Sequence, residues 1–110
     1  MIAANIGSIV QYVRVKSPGT RVFVVSVLPT NDRAKEQYPD VAGKNAAVKA
    51  LDVTLREGAE NYGYAFIDLA TRLIDGSGNL DEKYAKADGL HLNEAGYAMF
   101  VKLLREKGYL

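Results

Sequence analysis

Apolar residues recur at Ile2, Ile6, Ile9, Val10 and Val13, intervals that trace one face of a helical period. This predicts an opening helix that stops at Ser17-Pro18-Gly19, where proline disfavours helix before it and glycine suits a turn. From Arg21 to Leu28 the pattern changes. Val22, Phe23, Val24, Val25, Val27 and Leu28 make a nearly continuous, largely β-branched apolar run that does not alternate, as expected of a parallel strand covered on both faces. Pro29 ends it. Residues 29 to about 43 are a polar connection, long enough for a functional segment or a lid, with room for a helical turn near Arg33 to Gln37. A second long helix is predicted over 44–61, with Ala47, Val48, Leu51, Leu55 and Ala59 inward. Lys49, Asp52, Arg56, Glu57 and Glu60 lie mostly outward, and Gly63 closes the helix. A short strand follows over 64–69. Beyond a helical turn at 71–74 and a strong turn signal at Asp75-Gly76-Ser77-Gly78-Asn79, the chain reaches Asn93, a good N-cap with Glu94 behind it. Tyr97, Phe100, Val101 and Leu104 mark the buried face expected of the last helix.

The order α-β-α-β-α implies right-handed crossovers, a parallel sheet and a partial three-layer α/β/α, flavodoxin-like fold. Two strands alone do not make an independently stable sheet. The apolar strand at 22–28 should therefore have a partner on each edge. An uncovered edge predicts self-association into a homo-oligomer.

Composition narrows the function classes. A chain of 110 residues holds at most one domain. Fourteen Lys and Arg against thirteen Asp and Glu leave a net charge of +1, so no bulk electrostatic signal points to nucleic acid. With no cysteine, disulfides, thiolate metal sites and cysteine nucleophiles are excluded. No apolar run approaches the roughly 20 residues of a membrane span. The segment Met1 to Asn5 has no basic stretch of the secretory kind, and nothing assigns a compartment.

All histidine chemistry must pass through His91, the only histidine. It stands three residues after Asp88 in a loop ahead of an amphipathic helix. A histidine acting as general base needs a fixed tautomer, which a carboxylate on one ring nitrogen supplies. Spacing alone favours the plainer reading, a packed or surface histidine and a turn-capping aspartate. Asp75, Ser77, Asn79 and Asp81 alternate as in a calcium loop. Leu80 and Lys86 stand at the sixth and twelfth positions, however, so a plain turn is expected and no metal is called for. Tyr97 suits a core position, whereas Tyr38 and Tyr84 are candidates for the mouth of a site.

The longer string Asp88-Gly89-Leu90-His91-Leu92-Asn93, followed by Gly96-Tyr97, resembles the last sequence block of the SGNH hydrolases, also called GDSL-type esterases and lipases. Val24 to Pro29 resembles that family's fourth strand, Tyr64 to Leu69 its fifth, and Asp75 to Tyr84 the segment before the final block. The resemblance spans nearly the whole chain in order. It implies an ester hydrolase in which Asp88 orients His91 and His91 is the base for a serine, with no cofactor. Acetylated sugars, lysophospholipids and small esters are the substrate classes it suggests. The family's G-D-S and G-x-N-D motifs do not occur here. Ser8, Ser17, Ser26 and Ser77 lack the nucleophile's context. Asn31-Asp32 resembles the end of G-x-N-D but lies in the loop after the later strand, which leaves Asn31 as a candidate substrate contact. The expectation is that residues 1–110 are the C-terminal part of one SGNH-type domain, inactive alone, with Met1 an internal methionine or a late start. The alternatives are a non-catalytic oligomeric binding module, with Asp88 and His91 structural, and an unrelated flavodoxin-like domain.

Overall fold

In the computed structural model, which describes residues 2–110, β1 (Phe23–Val25) and β2 (Ala65–Ile67) pair in parallel. Phe23 stands opposite Ala65, Val24 opposite Phe66 and Val25 opposite Ile67. Around them run α1 (Ile2–Lys16), α2 (Ala34–Gln37), α3 (Asn45–Tyr62), α4 (Ala70–Leu73), a single 3-10 turn at Glu82–Tyr84 and α5 (Glu94–Glu106). Side chains alternate across the sheet. Val25 and Ile67 therefore share one face, and there they join the core with Leu69, Leu73, Leu80, Leu92 and Leu103 of α5. Phe66 lies on the other face, beneath Arg56 of α3. Helices on both faces make the three-layer α/β/α arrangement that the element order predicts.

The strands are shorter than the apolar runs. β1 spans three residues of the Arg21–Leu28 run because the ladder ends at Ser26, whose N–H donates to Ile67 O. The next N–H, of Val27, donates to the carboxylate of Asp52 at 2.7 Å. Asp52 is thus a correction: it is buried on the sheet side of α3 rather than turned outward. Among the described residues each strand has one partner, so one edge of each is unpaired.

Two helices present a different face to the core from the one their hydropathy predicts. In α1 the buried residues are Gly7 and Val10, while Ile2 and Ile9 are exposed. A Cβ at Gly7 would stand 2.5 Å from the Tyr62 ring, so α1 packs on α3 through this glycine. In α5 the buried residues are Gly96 and Leu103, whereas Tyr97 and Val101 are exposed. A Cβ at Gly96 would stand 2.7 Å from Tyr84 O, so the helix approaches the 3-10 turn there.

Candidate functional site

The loop that carries His91 is clipped at its base. Ala85 and Leu92 form an antiparallel bridge, Lys86 N–H donates to His91 O at 2.8 Å, and Gly89 N–H donates to Lys86 O at 3.0 Å. Asn93 fixes the chain just beyond. Its side-chain oxygen accepts from Gly96 N–H at 2.9 Å, capping α5, while its Nδ2 donates to Lys83 O and Ala85 O. Asp75 closes the preceding turn by accepting from the Ser77 and Asn79 amides.

Inside the loop Asp88 has two functions. Its Oδ1 accepts from Leu90 N–H at 2.9 Å and His91 N–H at 3.0 Å, an Asx-type turn. Its Oδ2 lies 2.5 Å from His91 Nδ1. The side-chain bond from His91, with help from the His91 and Leu90 amides, holds the Asp88 carboxyl down at about 2. Above that pH Asp88 is ionised and can only accept, so Nδ1 donates and the neutral ring leaves Nε2 as its acceptor. Nε2 has no hydrogen-bond partner among the described residues, and the His91 side chain is 57% exposed against 17% for Asp88. The arrangement can take a proton at Nε2 and stabilise the resulting imidazolium through Asp88.

Gly89 adopts φ +70° at the loop's crest. A Cβ there would stand 2.7 Å from Ala34 N and would also strike the Asn31 side chain. The loop following β1 is therefore pressed against the histidine loop. Asn31 N–H donates to Gly89 O at 3.1 Å, its Nδ2 donates to Leu80 O at 3.1 Å, and its Oδ1 accepts from Arg33 N–H. The same connection brings the ring of Tyr38 edge-on to His91, 6.1 Å between centroids. Tyr84 instead packs against the core.

Asn45, at the start of α3, escaped the sequence reading. It accepts from Thr30 N–H and donates to Thr30 O, both at 2.8 Å, and reaches Asn79 Oδ1. A single asparagine ahead of an apolar helix reads as a cap. Nothing in the pattern marks it as a clamp across three segments.

A cavity of about 410 Å³ lies between α3 and the 68–79 segment, with Pro29, Val53, Ile74 and Asp52 on its walls. It includes neither Asp88 nor His91. A second, of about 300 Å³, borders Asn31, Thr30 and Lys35. Burial raises the Asp52 carboxyl from its ordinary value, opposed by the Val27 N–H.

No serine hydroxyl is bonded to His91 among the described residues. Ser26 is buried and accepts from Ala70 N–H, Ser8 donates to Ala4 O within α1, and Ser17 pairs with Thr20. Ser77 lies in the exposed turn after Asp75.

The family model for GDSL-like lipases and acylhydrolases matches residues 1–99. Comparison with curated proteins gives no match. Among solved structures, a candidate platelet activating factor from Streptococcus pneumonia is similar at 30% identity and TM-score 0.83. A GDSL-like lipase from Bacteroides thetaiotaomicron, at 20% identity and TM-score 0.79, shares the fold. So does the esterase domain of the zebrafish ZfL2-1 retrotransposon ORF1 protein, at 21% and 0.71. Each alignment covers 96% of this chain, but 49%, 49% and 56% of the respective partners. The chain spans about half the length of the structures it matches.

Proposed function

From the premise that the chain belongs to the GDSL-like lipase/acylhydrolase family, we propose that Asp88 and His91 are the orienting acid and general base of a serine hydrolase acting on carboxylic esters. Family membership supports a hydrolase of the esterase or lipase kind. The observation that carries the finer reading is the Nδ1–Asp88 bond together with the open Nε2.

In this reading a serine hydroxyl gives its proton to Nε2 as its oxygen attacks the ester carbonyl carbon. The tetrahedral intermediate collapses to an acyl-serine, and the imidazolium returns the proton to the departing alkoxide. Water then repeats the sequence on the acyl-serine with the same base. Asp88 stays ionised throughout. The 110 residues hold no G-D-S motif, so the serine of this proposal lies outside them, and they are one part of a single hydrolase domain. Acetylated sugars, lysophospholipids and similar esters are the proposed substrates. Tyr38, beside His91, stands where it would meet the substrate as it approaches.

The isolated chain is expected to turn over p-nitrophenyl acetate at the background rate. Robust turnover abolished by His91→Ala would place the nucleophile inside the chain. The positive test is a chimaera in which residues 2–110 replace the matched half of the Streptococcus protein. Ester hydrolysis is expected, reduced at least about a thousandfold by His91→Ala. Hydrolysis indifferent to that substitution would overturn the proposal.

A homo-oligomer remains part of the proposal, supported by the exposed side chains of Ile2, Ile9, Tyr12 and Val15 along α1 and by the unpaired strand edges.

A further inference from the structure

We propose that Asn31 is a positioning residue for His91, binding the histidine loop to the end of the sheet, rather than a residue that contacts substrate. The inference rests on the general-base reading of His91 and adds what sets the direction of Nε2.

The Asp88–His91 bond is local. It fixes the ring within its own loop and says nothing about where the loop sits. Asn31 supplies that second coordinate. Its backbone N–H holds Gly89 O at 3.1 Å, at the one residue of the loop whose left-handed φ and lack of a side chain allow the approach. Its side-chain amide holds Leu80 O at 3.1 Å, and Leu80 is fully buried in the core. Thr30 O in turn accepts from Leu80 N–H at 3.3 Å, so residues 30 and 31 grip both polar groups of one core residue. The Asn31 carbonyl accepts from Ala34 N–H and its Oδ1 from Arg33 N–H, which holds the start of α2 against the same point. Every polar group of Asn31 has an internal partner, the pattern of a structural hub. One donor on Nδ2 and one lone pair on Oδ1 are left over, too little to define a substrate subsite.

The bond at Gly89 comes from the backbone and survives any substitution but proline. The bond at Leu80 comes from the side chain and does not. Asn31→Ala therefore keeps the loop attached but frees the attachment point from the core. The His91 side chain is more than half exposed, and the edge-on ring of Tyr38, carried on the same connection as Asn31, is its aromatic neighbour.

The test uses the single histidine as its own reporter. Long-range nitrogen–proton correlation spectra of the wild-type chain at neutral or mildly basic pH are expected to show the neutral ring mainly as the Nδ1–H tautomer, and Asp88→Asn to lose that preference. If the wild type shows no such preference, the general-base reading fails first, independently of Asn31. In Asn31→Ala, with its methyl spectrum otherwise native, the Nδ1–H preference should persist, because the Asp88 bond is internal to the loop, while the chemical shifts of the His91 ring and its through-space contacts with the Tyr38 ring should change. Amide exchange at Leu90 and His91 should quicken by about fivefold to tenfold, the loss of one net hydrogen bond. Wild-type His91 ring shifts, Tyr38 contacts and exchange rates in that variant would overturn the proposal. Should the variant not fold, wild-type exchange decides. The amides of Asn31, Leu90 and His91 are expected to open together, at one free energy under increasing denaturant, and separate openings would refute the link.

Discussion

The two oxygens of Asp88 carry different loads, one the turn and the other the imidazole, and pH separates them from the rest of the molecule. Its folded pKa lies below the unfolded value, so the stabilisation from its bonds is present above the unfolded carboxylate range and is lost as pH falls through about 2. A carboxyl titration followed by nuclear magnetic resonance should place the Asp88 midpoint near that value. Asp52 has the opposite sign. Its folded pKa is raised, chiefly by burial, so the native state holds the proton longer than the unfolded chain, and this group's contribution to stability falls as pH rises from about 4. Asp52→Asn keeps an oxygen for Val27 N–H and should flatten that slope in denaturation curves between acid and neutral pH. Asp52→Ala leaves the N–H without its acceptor and should cost about 1–3 kcal/mol at neutral pH.

At the scale of elements, α5 offers a direct comparison of hydropathy and packing. Leu103→Ala should lower unfolding free energy by about 2–5 kcal/mol. Tyr97→Ala, on a side chain 56% exposed, should lower it by less than about 1 kcal/mol, within the range of surface substitutions. Asn93→Ala should cost about 0.5–2 kcal/mol for the cap alone. Denaturant midpoints at fixed pH check all three. The existence and type of every long helix, both strands and the Asn93 cap were legible in the sequence, because apolar period and turn chemistry are local. The orientation of α1 and α5 was not. In each the closest approach runs through a glycine, Gly7 against Tyr62 and Gly96 against Tyr84, and a glycine contributes nothing to a hydropathy pattern while setting where two backbones can meet. Asp52 was misplaced for a related reason: its partner is the backbone amide that ends β1, and the position of a ladder's end depends on pairing between distant segments. Of the site, the Asp88–His91 pair was legible in the string Asp88-Gly89-Leu90-His91-Leu92-Asn93 and not in its three-residue spacing, which alone favoured a turn-capping aspartate. The contacts of the histidine loop with Asn31 and Tyr38 join residues more than fifty positions apart and left no local trace.

For the whole molecule, the unpaired strand edges and the apolar stripe of α1 set the expected solution behaviour. Sedimentation velocity should show association that grows with protein concentration, and Tyr12→Glu, on an exposed position of that stripe, should suppress it with little change in unfolding midpoint. A monomer at every concentration would contradict the proposed self-association. On the proposed reading of Asp88 and His91 as acid and base, their placing within a single turn has one further consequence. In a hydrolase whose acid and base came from distant segments, any breathing of the sheet or tilting of a helix would change the separation between the two groups. Here both ride on the same few residues, clipped at their base and braced by an N-cap. Deformation elsewhere can carry the pair as a rigid cartridge, altering where it is aimed while leaving its internal wiring intact. Amino-acid changes across the rest of the chain are therefore free to reshape a substrate pocket without retuning the proton chemistry.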